Sequence, residues 1–325
     1  MEVLWPPSSK SPNFPAMQKY LMSNPTVTGG TFSVSWSEVD KGPGANPQYV
    51  WTSVDSRLAP WITAGKKVNL VVWPVSYGTN VATPTYVMNS LGSSNTVSCH
   101  GEVIPNYFSS AYLGPYEAFL AKLLAHYAGN TSVGYIRIGA GQGGEIYPVN
   151  GMETDSTCYN TFLGWGFTDE KWAHYVETLT DYATGLKPGH QLMLGITFID
   201  GESAENEVVA HAVASGVGFG SQGFQLSDVT NYAEGKDCQG NWCDLFNQYQ
   251  GQVPLQLQTK GQSQPSNAKP TGSLVNLLPF AAGLHANVFE IYWEDWLIAF
   301  APGYPGYSQY HAAYASAIQA ASQGN

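Results

Sequence analysis

The segment from Tyr135 to Pro148 reads Tyr-Ile-Arg-Ile-Gly-Ala-Gly-Gln-Gly-Gly-Glu-Ile-Tyr-Pro and holds the most reactive arrangement in the chain. A short apolar run predicts a strand, glycines let the backbone approach something closely, and Glu145 follows at the strand's C-terminal tip. A carboxyl group so placed is suited to general-acid chemistry on a glycosidic oxygen. Such cleavage needs a second carboxyl across the bond, with one of the two kept protonated by burial or by a like-charged neighbour.

Candidates for that second group stand near the end of the chain. Glu290 sits inside the apolar run Val288-Phe289-Glu290-Ile291-Tyr292-Trp293, where a charge is costly without a partner or a task. Its alternative is a structural ion pair, for instance with Arg137. Glu294 and Asp295 follow closer to the strand end, as binders of hydroxyl groups or as solvated residues.

The same glycines spell Gly139-x-Gly141-x-x-Gly144, a dinucleotide fingerprint. That motif needs a helix immediately after it, so that the helix N-terminus meets pyrophosphate. Here Glu145-Ile146-Tyr147-Pro148 follows, and the strand is fourth in order rather than first. No cofactor is therefore expected. The seven histidines show no metal-binding spacing, and no metal is expected either.

Strand-like and helix-like segments alternate along all 325 residues, with eight of each in strict order. The strands are expected at Val3–Trp5, Gly30–Trp36, Lys67–Val75, Gly134–Gly139, Gln191–Ile199, Phe219–Phe224, Val253–Gln258 and Asn287–Trp293. The sixth has the weakest pattern. This order predicts an α/β fold, a (β/α)8 TIM barrel forming a single domain over residues 1–325 with long βα loops. A doubly wound open sheet is the alternative.

In a barrel, side chains at strand C-termini face the site. The expected set is Glu145, Glu290 and Gln258 for chemistry. Trp36, Trp73, Gln142, Tyr147, Asp200, Gln256, Tyr292, Trp293, Glu294, Asp295 and Trp296 are expected to bind substrate. Indoles, acids and amides with few cations suit a carbohydrate. The ten Trp, twenty Tyr and thirteen Phe support stacking on sugar rings, although about half of the candidate indoles are expected in the core.

A net charge of −11, with only 11% charged residues, argues against nucleic acid and anionic membrane surfaces as partners. No apolar run is long enough to span a bilayer. Cys238 and Cys243 bracket a short loop suited to a local disulfide, and Cys99 and Cys158 could then pair. Two disulfides would suit a secreted or periplasmic protein, and four free thiols are the alternative.

The strand order and a Glu closing strand four resemble the clan-A type of (β/α)8 glycoside hydrolases, as do Ser35-Trp36-Ser37-Glu38 and Ala64-Gly65-Lys66-Lys67-Val68-Asn69-Leu70. The resemblance implies that Glu145 is the acid/base. The glycine run ending in Glu145 and Tyr147-Pro148 also looks like the acid segment of β-amylases, with one residue fewer before the proline. In the clan-A type a nucleophile ends strand seven, where this chain has Val253-Pro254-Leu255-Gln256-Leu257-Gln258-Thr259. An amide cannot form a glycosyl-enzyme. Three explanations stand open: a Glu→Gln change in a retaining enzyme, a carboxylate moved to strand eight as Glu290 or Glu294, or a barrel that binds glycans without cleaving them.

Overall fold

The computed structural model describes residues 1–4, 6, 14–76, 78, 81–196, 202–236, 238, 241–263 and 270–323. Its strands in chain order are β1 (Glu2–Leu4), β2 (Gly29–Ser35), β3 (Lys67–Trp73), β4 (Thr96–Cys99), β5 (Glu102–Pro105), β6 (Val133–Ile138), β7 (Gln191–Gly195), β8 (Gly218–Phe224), β9 (Leu255–Thr259) and β10 (Val288–Tyr292). Eight of them close a barrel in the order β1-β10-β9-β8-β7-β6-β3-β2, and β4 and β5 form a separate antiparallel hairpin. The fold is a (β/α)8 barrel, and the open-sheet alternative falls.

Each of the eight expected barrel strands is present, with described ends shifted by a residue or two, and the expected ends at Trp5 and 197–199 lie outside the described residues. The soft sixth is β8, where Gly220 has a reason. A Cβ on Gly220 would come 2.0 Å from Gln256 Oε1 and 2.6 Å from the Gln256 carbonyl. Gly220 is the register partner of Gln256 and leaves its side chain the room to lie across the strand. Packing against a neighbour, rather than local propensity, chose that residue.

The long segments read as loops carry elements of their own. The stretch after β3 holds the β4–β5 hairpin, and the stretch after β6 holds helix Ser156–Gly164. Disulfides join Cys99 to Cys158 and Cys238 to Cys243, so the four cysteines are paired as the spacing suggested.

Two compact units are resolved by packing. One comprises Met1–Phe32, Pro60–Asn69 and Gly218–Asn325. The other comprises Ser33–Ala59 and Leu70–Val217.

In the first unit a buried polar layer replaces the usual aliphatic filling. Glu2 and Glu290 are register partners on β1 and β10, and both are buried. The Asn69 amide donates to Glu2, Thr31 Oγ1 donates to Glu290, and Gln256 Nε2 donates to Glu290 Oε2 at 2.8 Å. Burial, followed by the charge of Glu290, pushes the Glu2 carboxyl from its ordinary 4.5 up to about 8. The folded state thus holds a proton that an unfolded Glu2 has lost above pH 4.5.

Stability from this group is full below the unfolded pKa and declines as pH rises toward the folded one. The slope contributed is at most about 1.4 kcal/mol per pH unit. Asp295, raised to about 7 by burial, adds a decline of the same sign. Glu2→Gln is expected to flatten urea-unfolding stability between about pH 5 and 8 without abolishing the slope. Identical pH dependence in wild type and variant would refute the account of a protonated Glu2.

The second unit is built on β6, β7 and most of β3, packed by aromatic helices. Helix Asp169–Gly185 opens on Thr168, whose hydroxyl accepts from the Lys171 amide at 3.1 Å, with Asp169 and Glu170 in its positive first turn. Trp172 and Tyr175 of this helix lie 4.8 Å apart between ring centroids, and Tyr107 meets Trp172 edge-on at 5.0 Å. Three hydroxyl or indole donors from this layer bond the backbone after β6: Tyr116 to the Gly139 carbonyl, Tyr175 to Ala140 at 3.1 Å and Trp172 to Ile146 at 2.5 Å.

Candidate active site

Glu145 lies in a compact loop directly after β6 and is 6% exposed. Its backbone is pinned on both sides. Its carbonyl accepts from the Gly141 amide at 2.7 Å and the Ala140 amide at 3.2 Å, and its own amide donates to the Gln142 carbonyl at 3.2 Å. The next residue, Ile146, donates to the Gly195 carbonyl at the C-terminal end of β7 at 3.1 Å. The acid is therefore held at the C-terminal ends of two adjacent strands, where barrel chemistry takes place.

The glycines serve this loop. A Cβ at Gly141 would stand 1.9 Å from the Tyr147 carbonyl oxygen, so the chain crosses itself too closely for any side chain. The close approach that resembled a nucleotide fingerprint is made to the protein's own backbone, and the next helical turn begins only at Met152. Gly141→Ala is expected to destabilise the fold by about 1–3 kcal/mol or more, since backbone rather than a flexible side chain would have to yield. A thermal midpoint unchanged from wild type would contradict this.

Around the loop, Trp73 at the end of β3 is half-buried, with its indole edge against Gly144. Tyr147 is half-buried, and both keep part of their surface open. Gln142 differs from expectation. It is 4% exposed, its Nε2 donates to Glu102 Oε2 at 2.7 Å, and its Oε1 accepts from the Asn150 amide at 2.8 Å. Both ends of the amide are engaged by protein, so its work is on the loop.

Several expected binding residues are core instead. Trp36 is fully buried, stacked on Phe119 at 5.9 Å and tilted against Tyr116 at 5.3 Å, with Nε1 donating to Asp40 at 3.1 Å. Trp296 is fully buried and stacked on Phe300 at 6.0 Å. Neither presents a ring face, so both are corrections to the stacking set. Asp295 is also fully buried and accepts from the Ser263 hydroxyl at 2.8 Å and its amide at 3.2 Å, fastening the segment after β9. Asp200 lies outside the described residues.

The C-terminal end of β9, and Glu294 just after β10, carry polar atoms without a partner among the described residues. Gln258 is 5% exposed and its Oε1 has no hydrogen-bond partner among the described residues; Thr259 Oγ1 is in the same state. Gln256 gives its Nε2 to Glu290 and leaves Oε1 without a partner among the described residues. Glu290 lies mid-strand, in register with Glu2 on one side and Gln258 on the other. At the end of the strand Tyr292, and beyond it Trp293 and Glu294, are half-exposed, and Trp293 meets Tyr304 edge-on at 6.5 Å. Glu294 Oε2 is buried without a partner among the described residues, and burial raises its pKa above the usual carboxylate value.

Sequence reading missed Glu102, which sits on a hairpin no periodicity announced, and Glu2, whose depth depends on barrel closure. Two signals were available. The Cys99–Cys158 spacing marked the hairpin as tethered, and Asn69 within an apolar run marked a buried polar partner. No group of three or more His, Cys, Asp or Glu suited to a metal ion occurs among the described residues.

The architecture defines the class: a closed parallel (β/α)8 barrel with an acid at the end of its fourth barrel strand. Among solved structures, the chain is similar to the catalytic domain of a β-amylase from Paenibacillus polymyxa, at 13% identity and a TM-score of 0.61, covering 89% of this chain and 91% of that one. It is also similar to a thermostable mutant of a xylanase from Cellvibrio japonicus, at 9% identity and a TM-score of 0.57 over 98% of this chain and 96% of that one. A β-galactosidase from the psychrophilic Marinomonas ef1 aligns at 12% identity and a TM-score of 0.56 over 99% of this chain and 59% of that one. At these identities the likeness is one of fold. No protein-family model matches the chain, and no curated protein does.

Proposed function

We propose that this protein is a glycoside hydrolase acting on a poly- or oligosaccharide, with Glu145 as the proton donor to the leaving oxygen. The observation that carries the reading is the glycine-rich loop that holds Glu145 rigidly at the strand ends, 6% exposed, beside a half-open indole. The likeness of the barrel to a β-amylase, whose acid segment this loop resembles in sequence, supports the same assignment.

The candidates for a second carboxylate remain those of the sequence, Glu290 on β10 and Glu294 after it. Sequence alone favours Glu290, but its oxygens already accept from Thr31 and Gln256 within the polar layer. Glu294 has the better credentials. It stands past the strand end, one oxygen lacks a partner among the described residues, and aromatics flank it. It would support the anomeric centre or take the proton of the attacking water. In the unit that carries Glu145, Trp73 and Tyr147 would provide stacking faces; in the other unit, Gln258 has an open carbonyl suited to a hydroxyl, and Tyr292 and Trp293 are candidate stacking faces.

The paired disulfides suit an exported enzyme. The amides at Gln256 and Gln258 favour a second reading, a barrel that binds glycans without cleaving them. Incubation with starch, xylan, mannan and aryl galactosides, followed by product chromatography, separates the two. New reducing ends support hydrolysis, and binding without products supports the second reading.

A further inference from the structure

The β4–β5 hairpin lies outside the barrel, yet its carboxylate reaches the loop of the acid. Glu102 Oε1 accepts from the Gly78 amide at 2.6 Å, and Glu102 Oε2 accepts from Gln142 Nε2 at 2.7 Å. Gln142 in turn takes the Asn150 amide on its Oε1 at 2.8 Å, and its backbone carbonyl takes the Glu145 amide at 3.2 Å. It also forms an isolated parallel bridge with Val75. Gln142 thus ties together both ends of the segment bearing Glu145, and Glu102 orients Gln142.

The hairpin itself is fastened to the chain beyond the Glu145 loop. Cys99, the register partner of Glu102, is bonded to Cys158. The His100 amide donates to Asp155 Oδ2 at 3.1 Å, and His100 Nε2 lies 2.9 Å from the Gly151 carbonyl. A half-buried carboxylate between two donors is well satisfied and geometrically demanding. Among the described strands β4 and β5 pair only with each other, so no ladder to the barrel fixes Glu102.

We infer that Glu102 is a positioning residue. Presented by the disulfide-bound hairpin, it acts through Gln142 to hold Glu145 in the geometry of proton donation. This rests on the assignment of Glu145 as the acid.

The test exploits complementary chemistry. In Glu102→Gln the pair becomes two amides, and one of the two bonds is lost. In Gln142→Glu two carboxylates face each other. The double swap, Glu102→Gln with Gln142→Glu, restores every bond. The amide then on the hairpin accepts from Gly78 and donates to the carboxylate now on the loop, which still accepts from Asn150. Turnover would be measured on an unactivated oligosaccharide, whose leaving group needs protonation, and on a 2,4-dinitrophenyl glycoside of the same sugar, whose leaving group does not.

Each single variant is expected to lower kcat on the oligosaccharide about ten- to a hundredfold while sparing the dinitrophenyl substrate, and the swap to restore it. Equal losses on both substrates, or a swap no better than the singles, would overturn the proposal. A second readout is independent of activity. Amide hydrogen exchange at Gly141, Glu145 and Asn150 should accelerate in Glu102→Ala, and unchanged protection there would equally overturn it. If Glu145→Ala retains oligosaccharide turnover, the acid assignment itself fails, whatever the exchange data show about the clamp.

Discussion

Replacing Glu145 by Gln is expected to lower turnover of an unactivated glycoside by about 10²–10⁴-fold, with little change in thermal midpoint. The amide is nearly the same size and cannot donate a carboxyl proton. The loop is held by backbone bonds from Gly141 and Ala140 to the Glu145 carbonyl and by Tyr116, Tyr175 and Trp172 bonding its neighbours, none of which needs the carboxylate. Activity and stability therefore separate at this position. A glycoside with a strongly acidic leaving group should suffer far less, because its departure needs no proton. Turnover within about tenfold of wild type on an oligosaccharide would remove Glu145 from the mechanism.

The second large effect falls on stability. The Cys99–Cys158 disulfide closes a loop of 59 residues, and the Cys238–Cys243 disulfide one of 5. Loop-closure entropy assigns about 4 kcal/mol to the first and about 2 kcal/mol to the second. Cys99→Ser/Cys158→Ser should therefore lower unfolding free energy by roughly twice as much as Cys238→Ser/Cys243→Ser. The larger loss also frees the hairpin that carries Glu102, so activity should drop before the protein unfolds. Chemical denaturation of the two double variants checks the ranking; a greater loss from the short loop would mean that native-state contacts, rather than chain entropy, dominate.

Much of the architecture was legible from residue order. Lys67 to Trp73 reads as a buried strand because parallel strands are covered on both faces and need near-continuous apolar residues. Helix Asp169–Gly185 announces its start through Thr168 and the acids after it. The β4–β5 hairpin escaped because its strands span only four residues each, and burial alternates along β4 alone. The indoles show the limit most clearly. Trp36 and Trp73 both follow or end a strand, yet the first turns to the helical layer under Phe119 and Tyr116 while the second lies along the Gly144 loop. One residue of offset along a strand reverses the face, and letters alone do not register it.

From its sequence the chain determined the alternation of strands and helices, a short loop between Cys238 and Cys243 suited to a local disulfide, and a carboxyl group closing the fourth barrel strand behind a run of glycines. These are local matters: periodicity, spacing and backbone permissiveness act over a few residues. Tertiary structure alone decided which acids lie deep and which stand at the strand ends. Glu2 and Glu290 share a buried layer only because β1 and β10 are neighbours in the barrel. Gln142 is drawn from a substrate role into a clamp because a hairpin 40 residues earlier delivers Glu102 to it. Burial and partnership are properties of the closed barrel and of chain returning from a distance, and they set the protonation and freedom of each carboxylate.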